Sequence, residues 1–220
     1  MKFPDLQDDK FAEFIGIMLG DGSIGRYKCK SEDRITIQHQ VKVTLDSRNK
    51  EYINHVRDLM NYLFDVEPRI NFKKNENTAD IRIFRKEIFN FLVNKAELRK
   101  SPKRMRARIP SYLNSNNKIH LLRGIFDTDG SVVITKNNGI LYPRLELKIS
   151  PSPMQSQLID IIEQLGFNLK VQKLDKGKIR IRINGKKELA KWMKLVGTSN
   201  YLYYNKAKKF IAGEGFSQLS

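Results

Sequence analysis

The stretch FIGIMLGDGS, residues 14–23, has a near copy in LRGIFDTDGS, residues 122–131. Each copy is an apolar run that ends in Asp-Gly-Ser, and each occupies the same place in its own half of a chain of 220 residues. Asp-Gly is a common helix stop, so one copy alone would indicate only the end of a helix. Two copies at equivalent places indicate instead one site assembled from two halves.

The composition points to a polyanionic partner. Lys and Arg number 41 against 24 Asp and Glu, a formal net charge of +17, which favours nucleic acid or an anionic membrane surface. No apolar run is long enough to span a bilayer, so we expect no membrane partner. The single Cys29 and three histidines exclude an intramolecular disulfide and a zinc finger. MKFPDLQDDK lacks the layout of a secretion signal, so we expect an intracellular protein of the cytoplasm, nucleoid or an organelle.

The hydrophobic periodicities predict the same order of elements twice. In the first half they predict helices at 10–20, 49–64 and around 88–92, with strands at 23–31, 34–43, 68–74 and 79–84. In the second half they predict helices at 118–128, 154–165 and 186–196, with hairpins at 131–149 and 168–183. We therefore predict an α+β fold of two pseudo-twofold αββαββα repeats. Each repeat is a four-stranded antiparallel sheet with helices on one face, and two packed helices join the repeats.

The predicted domain boundaries follow from this repeat. They are an N-terminal half at 1–98, a basic linker at 99–117 and a C-terminal half at 118–220, which ends in a basic, aromatic tail that the pattern does not place. Within the linker, RKSPKRMRARIP has six basic residues and no acidic one. It is either a solvated connection or a segment that lies along a phosphate backbone.

Small residues recur every four positions on the first Asp-Gly helix and predict a close helix crossing. Residues spaced in this way form one stripe, and small side chains let two helices approach closely. The stripe consists of Ala12, Gly16 and Gly20, and the matching positions of the second helix are His120, Gly124 and Thr128. We expect the two helices to pack side by side through these stripes.

Such packing would bring Asp21 and Asp129 together at two helix C-termini. A carboxylate is disfavoured there by about 0.3–1 kcal/mol, and two carboxylates also repel each other. A divalent cation removes both penalties, because Mg²⁺ is usually held by one or two carboxylates together with substrate phosphates. The arrangement also suits two-metal phosphoryl chemistry.

FIGIMLGDG and LRGIFDTDG resemble the two motifs of single-chain LAGLIDADG homing endonucleases, and the repeat covers nearly the whole chain. The resemblance implies a monomer whose motif helices form the interface between halves and whose two sheets saddle the major groove of DNA. It implies that Asp21 and Asp129, with the preceding Gly20 and Thr128, hold Mg²⁺, for which Mn²⁺ substitutes. Both strands of a long site would then be hydrolysed, leaving 3′ overhangs.

The sequence departs from the family pattern in two places. Leu19 stands in the first motif where the second has Asp127, but this position is not a metal ligand in the family. Family members also usually place Gln, Lys or Arg near the end of the second strand of each half, where this chain reads TLDS and ISPS. We nominate the pseudo-symmetric Lys42 and Lys148 as catalytic residues, with ordinary phosphate or base contacts as an equal alternative.

Polar residues that alternate with aliphatics along the strands predict a DNA-reading surface. Arg pairs with guanine edges and Gln or Asn with adenine edges, so such a mixture suits base readout. In the first half we assign to this surface Ser23, Arg26, Lys28, Lys30, Arg34, Thr36, Gln38, Gln40, Lys42, Arg69, Asn71, Lys73 and Arg82. In the second half we assign Ser131, Thr135, Arg144, Glu146, Lys148, Lys170, Gln172, Arg180, Arg182 and Asn184.

Three functions are compatible with these features. The favoured one is a Mg²⁺-dependent, site-specific endonuclease that cuts double-stranded DNA. The second is an intron RNA-binding maturase of the same architecture, and the third is a DNA-binding regulator that has lost the chemistry. Retention of both Asp21 and Asp129 counts against the regulator, because without a cation the two carboxylates only destabilise the interface.

Overall fold

A computed structural model describes residues 1–31 and 34–211. The first half contains α1 (Asp9–Gly20), β1 (Gly22–Ser31), β2 (Arg34–Asp46), α2 (Lys50–Phe64), β3 (Arg69–Phe72), β4 (Thr78–Ile83) and α3 (Lys86–Asn94). The second contains α4 (Ser115–Asp129), β5 (Gly130–Asn137), β6 (Ile140–Ile149), α5 (Met154–Gln164), β7 (Leu169–Lys173), β8 (Ile179–Asn184), α6 (Lys186–Leu195) and α7 (Tyr201–Ile211). The predicted αββαββα repeat and fold class are confirmed.

Each half is built on one antiparallel sheet. The strand orders are β1-β2-β4-β3 and β5-β6-β8-β7, so the two sheets have the same topology. In β2 the alternate residues Val41, Val43 and Leu45 are buried beneath the helices, while the residues between them lie on the opposite face. The period of two that predicted the strand therefore also gives each sheet one apolar face and one polar face.

The linker and the tail differ from their predicted extents. Helix α4 begins at Ser115, inside the segment predicted as linker, because the side chain of Asn114 caps it by accepting a hydrogen bond from Asn117 N. The tail forms α7, which packs on α6 and β5 and buries Ala207 and Ile211. The rest of the predicted tail, 212–220, lies outside the described residues.

Within the ranges given above, no helix is long and apolar enough to cross a membrane.

Candidate active site

Helices α1 and α4 cross at two glycines, as their small-residue stripes predict. A Cβ atom added to Gly16 would lie 2.1 Å from the carbonyl oxygen of Leu121, and one added to Gly124 would lie 2.2 Å from that of Glu13. Contacts this short leave no room for a side chain at either glycine position. The two glycines therefore set the distance between the helices, and the crossing is nearly the same seen from either half.

The crossing brings the two motif aspartates to one place. Asp21 caps the end of α1 and Asp129 is the last residue of α4. A Cβ added to Gly20 would lie 2.0 Å from Thr128 Oγ1 and 3.5 Å from Asp129 Oδ2. The carboxylate of Asp129 thus lies over the end of the opposite helix. Asp21 and Asp129, with the preceding residues Gly20 and Thr128, form what we call the acid pair.

Burial and mutual repulsion make the acid pair costly to ionise. Burial, together with the charge of Asp21, raises the pKa of Asp129 to about 6, against the lowering effect of the Lys103 charge. Burial likewise raises the pKa of Asp21, against the lowering effect of the Lys103 charge. A carboxylate whose anionic form is disfavoured in this way is stabilised by an added cation.

The donor set of the acid pair fits a hard divalent cation. In residues 1–31 and 34–211 no three His, Cys, Asp or Glu side chains converge as metal ligands. Mg²⁺ commonly uses only one or two carboxylates and completes its octahedron with water and substrate phosphates. Two carboxylates match that requirement, whereas the soft thiolate and imidazole ligands typical of zinc are missing from the set.

Lys103, which the sequence analysis did not single out, lies beside the acid pair. Its Nζ donates hydrogen bonds to the carbonyl oxygens of Met18, at 2.7 Å, and Gly20. Burial lowers its pKa to about 8, while Asp129 and Asp21 act in the opposite direction. Lys103 belongs to the linker, so contact with a residue 85 positions away depends on the path of the linker and leaves no local sequence signal.

Tyr203 occupies the other side of the acid pair. Its hydroxyl donates to the carbonyl oxygen of Gly130 at 2.8 Å. Burial, together with the charges of Asp127, Asp21 and Asp129, raises its pKa to about 12. Tyr203 was part of the tail that the sequence pattern could not place. The acid pair thus has a lysine on one side and a neutral phenol on the other.

Asp127, the extra acid of the second motif, is bonded to the loop between α6 and α7. Its carboxylate accepts hydrogen bonds from the Thr198 hydroxyl and, at 2.7 Å, from Ser199 N. Burial raises its pKa to about 7. Asp127 therefore anchors the loop between α6 and α7.

The polar face of the second sheet has the composition that we predicted. Pairing puts Ser131 opposite Glu146, Thr135 opposite Tyr142 and Lys148 opposite Arg180, so these residues share one face. The same register adds Arg144, Lys170, Gln172, Arg182 and Asn184. Glu146 lies at the centre of this face, with Arg144, Arg180 and Arg182 within 3.6 Å of its carboxylate.

The first sheet differs from the prediction along β1. Its register pairs Arg26 with His39, Lys28 with Ile37 and Lys30 with Ile35, which puts all three basic residues on the helix side of the sheet. The Arg26 guanidinium lies 5.2 Å from the ring centroid of Phe89, a buried residue of α3. The expectation that Arg26, Lys28 and Lys30 share the polar face is therefore wrong.

The remaining residues assigned to the first sheet do share its polar face. Pairing of β1, β2, β3 and β4 brings together Ser23, Thr36, Gln38, Gln40, Lys42, Arg69, Asn71 and Arg82, and Lys73 continues the same alternation. Tyr27 and Cys29, which we had not assigned, also lie on this face. Arg34 begins β2, but its side chain lies outside the described part of the chain.

The two nominated lysines lie on the polar faces rather than at the acid pair. Lys42 Nζ is 3.8 Å from Asp80, a fully buried carboxylate that also bonds Arg82 and Thr44. Lys148 is exposed and pairs with Arg180 across the sheet. Neither is among the groups that shift the pKa of the acid pair, so their catalytic role stays a prediction.

Comparison with known proteins gives one curated relative and several solved structures. The DNA polymerase of Thermococcus kodakarensis is 23% identical over 218 residues, which cover 94% of this chain and 12% of that protein. The chain therefore spans 12% of the length of this relative. A family model described as the LAGLIDADG-like domain matches residues 116–197.

Solved homing endonucleases share the whole architecture. I-DmoI in complex with DNA and Ca superposes with a TM-score of 0.56 at 20% identity, covering 84% of this chain and 86% of that one. I-LtrWI bound to target DNA gives 0.62 at 13%, with coverages of 93% and 89%. A double mutant of I-SmaMI gives 0.64 at 11%, with coverages of 94% and 90%. Residues 116–197 are thus a LAGLIDADG-like domain, and the chain as a whole has the fold of the LAGLIDADG homing endonucleases.

Proposed function

We propose that the protein is a Mg²⁺-dependent, site-specific endonuclease that hydrolyses one phosphodiester on each strand of double-stranded DNA. The observation that carries the proposal is the acid pair, which directly precedes β1 and β5, the first strands of the two sheets that carry the polar faces. The matching solved structures include I-DmoI with DNA and Ca and I-LtrWI with its target DNA. We further propose that the protein acts as an intracellular monomer, because one chain contributes both motifs.

Asp21 and Asp129, with the backbone oxygens of Gly20 and Thr128, would hold the cation. When bound, Mg²⁺ supplies Lewis-acid stabilisation of charge on phosphate oxygens and lowers the pKa of water. The protein holds the two carboxylates in fixed positions, because the glycine crossing fixes both helix ends. Since the Gly20 carbonyl already accepts a hydrogen bond from Lys103, that lysine adjoins the same oxygen.

Lys103 would stabilise the charge that develops on the phosphate. Its ammonium group is partly buried beside Asp129, where an electrostatic interaction is stronger than in bulk water. We propose Lys103 as a catalytic residue alongside Asp21 and Asp129. Lys42 and Lys148 remain candidates for phosphate or base contacts near the same centre.

The polar faces of the two sheets would read the DNA. Arginines that contact a central carboxylate, as Arg144 and Arg182 contact Glu146, are held in fixed orientations before any ligand arrives. Such pre-ordering reduces the side-chain entropy lost on binding. The first sheet shows the same arrangement with Arg82 and Lys42 around Asp80. Gln38, Gln40 and Asn71 would add contacts to adenine edges.

The test is to incubate genomic DNA with the protein and to sequence the ends that form. The DNA comes from a relative of the source organism whose genome lacks the gene for this protein. We expect one Mg²⁺-dependent break with staggered 3′ ends, which EDTA prevents. Asp21→Asn and Asp129→Asn should each abolish double-strand cleavage while DNA affinity stays within about tenfold, because the fold and the basic faces remain. Asp160→Asn, on the exposed side of α5, is the matched control.

The outcomes separate the alternatives. Normal cutting by both Asn variants would show that the acid pair is not the catalytic site. Salt-sensitive duplex binding without a break would favour a regulator. Absence of cutting together with tight binding to intron RNA would favour a maturase.

A further inference from the structure

The linker between the halves is held against both of them. Ser101 N–H donates to the Ile24 carbonyl in β1 at 2.8 Å, and Met105 N–H donates to the Pro151 carbonyl in the second half at 2.9 Å. A third bond joins Met154 N–H to the linker carbonyl of Ala107 at 3.1 Å. The segment is therefore a fixed part of the surface rather than a solvated tether.

Basic side chains occupy the outer side of this fixed segment. Ala107 and Ile109 are buried and anchor it to the core. The exposed residues form what we call the basic rim, which consists of Arg99, Lys100, Arg104, Arg106 and Arg108. No acidic residue interrupts them in the sequence.

The charge of the basic rim is largely unopposed. Across the described residues none of its five members forms an ion pair, although Arg48 and Arg57 elsewhere pair with neighbouring aspartates. Glu97 is the nearby acid whose pKa the charges of Arg108 and Arg99 help to lower, but its carboxylate oxygens are already bonded to Ser111. Unpaired arginines held on a rigid backbone present positive charge to an external anion.

The position of the basic rim beside the acid pair indicates that its anionic ligand is the phosphate backbone of DNA. Lys103, in the middle of the segment, contacts the carbonyl of Gly20 in the acid pair, and Arg104 lines a cavity of about 210 Å³ together with Asp129. A duplex whose scissile phosphate lies at the acid pair would continue along the linker on this side. DNA offers one negative charge per roughly 1.7 Å of helix, so several phosphates would fall within reach.

On the opposite side of the acid pair, the cavity that the described residues form has no Lys or Arg in its lining. This cavity, of about 250 Å³, is lined by residues that include Asp21, Asp46, Leu202 and Tyr203. The exposed lysines of α7, Lys206, Lys208 and Lys209, are not among its lining residues. We infer that the basic rim binds the phosphate backbone of one DNA strand beside Asp129, so that the phosphate contacts on the two sides of the acid pair are unequal. This inference rests on the proposed function, since it takes duplex DNA as the ligand.

The first experiment measures affinity for a 40-base-pair duplex of mixed sequence in EDTA, by fluorescence anisotropy from 50 to 300 mM KCl. Each phosphate contact contributes about 0.9 to the slope of log affinity against log salt. Lys100→Gln combined with Arg104→Gln should therefore flatten the slope by roughly 1.8. Lys95→Gln combined with Lys194→Gln removes the same charge at the ends of α3 and α6, and should leave the slope unchanged.

The second experiment locates the contact on the cleaved site, once that site is recovered. Ethylation of phosphates should interfere with binding more strongly on one strand, beside one cut, and the Lys100→Gln, Arg104→Gln protein should lose that interference. Two results would overturn the proposed role of the basic rim while leaving the nuclease proposal intact. One is an equal change of the salt slope in the two double variants, and the other is equal ethylation interference on the two strands. A wild-type protein that cut DNA normally but showed no salt dependence would do the same, whereas no duplex binding at all would overturn both.

Discussion

The two sides of the acid pair differ although the motifs that build it are nearly the same. On the linker side Lys103 and Arg104 lie beside Asp129. On the α7 side Tyr203 and Leu202 lie beside Asp21, with Tyr203 bonded to the carbonyl of Gly130. A basic surface therefore lies on one side of the acid pair and an aromatic surface on the other.

The difference shows where a duplicated fold must lose its symmetry. The repeat reproduces two sheets and a glycine crossing, but a chain with two halves has only one linker. The segment that follows α3 crosses to the second half and carries Lys103, whereas the segment that follows α6 turns into α7 and presents Tyr203. Because a phenol with a pKa of about 12 is neutral near pH 7, the two carboxylates meet different electrostatic environments.

Replacing Lys103 should have the largest effect of the changes that test this comparison. Lys103→Met removes the positive charge beside the acid pair, and loss of one preorganised charge or donor at a reacting phosphate typically costs about 100-fold in rate. We expect the loss to fall mainly on one strand, so that nicked DNA accumulates. The measurement is a single-turnover assay with the two strands carrying different labels, resolved on a denaturing gel.

Tyr203→Phe is the matched change on the α7 side. It removes one neutral hydrogen bond, which contributes about 0.5–1.5 kcal/mol, so the rate on either strand should fall by less than about tenfold. If Lys103→Met slowed both strands equally, or if Tyr203→Phe had the larger effect, the two sides would not be chemically distinct in the way that the structure indicates.

Equivalent substitutions on α1 and α4 at the helix crossing should destabilise the protein by similar amounts, in contrast to the unequal effects expected at the ends of the helices. Gly16→Ala and Gly124→Ala each push a methyl group to within about 2 Å of a backbone carbonyl that cannot rotate away. We expect each to lower the free energy of unfolding by roughly 3 kcal/mol, at the upper end of the usual cost of overpacking. Urea denaturation followed by circular dichroism measures both values.

The comparison between the two glycine variants is more informative than either value alone. Similar losses would show that asymmetry begins only beyond the crossing. A loss at one glycine that exceeded the other by more than about 1 kcal/mol would indicate that one half can shift to accommodate the methyl group. Gly139→Ala, at a turn with open space around it, reports the separate cost of a positive φ of 80°.

Much of the fold follows from the sequence because its signals are local and occur twice. Alternation identified the strands, helical spacing identified the helices, and repetition of Asp-Gly-Ser identified the partner of each motif. The polar face of the second sheet was predicted for the same reason, since β6 and β8 each carry their polar residues at one parity, as Arg144, Glu146 and Lys148 show.

The errors arose where the outcome depends on geometry between segments. Alternation within β1 shows that Arg26, Lys28 and Lys30 share a face, but only the register of the hairpin decides which face that is. The pairing of Arg26 with His39, rather than with an even-numbered residue, reverses the assignment. Lys103 was missed for a related reason, because the path of an irregular linker has no periodic signal.

The loop that supports the α7 side should make a small, pH-dependent contribution to stability. Glu13 Oε1 accepts hydrogen bonds from His55 Nε2 and from the Ser199 hydroxyl, each at 2.8 Å, and Arg123 lies 3.5 Å from Glu13 Oε2. Burial raises the pKa of Glu13, but His55, Ser199 and Arg123 together bring it below 4.5. Burial lowers the pKa of His55, but Glu13 and the charge of Asp127 bring it above 6.5 despite Arg123.

These opposite shifts define a window of maximum stabilisation. The contribution of Glu13 is present above pH 4.5 and is lost as the pH falls through its lower, folded-state pKa. The contribution of His55 is present below pH 6.5 and is lost as the pH rises through its higher, folded-state pKa. The wild-type protein should have a higher Tm than Glu13→Gln. Because His55 is partly exposed, we expect this Tm difference to be only about 2 °C larger inside the window than at pH 8.5.

Differential scanning calorimetry from pH 4 to pH 9 measures this difference, with Glu51→Gln on the exposed side of α2 as the control for loss of one carboxylate. The control should track wild type at every pH. A Glu13→Gln curve parallel to wild type would show that the pair is uncharged in the folded protein. The loop on the α7 side would then be held by the hydrogen bonds that Thr198 and Ser199 donate to Asp127 and Glu13, without a contribution from charge on the Glu13–His55 pair.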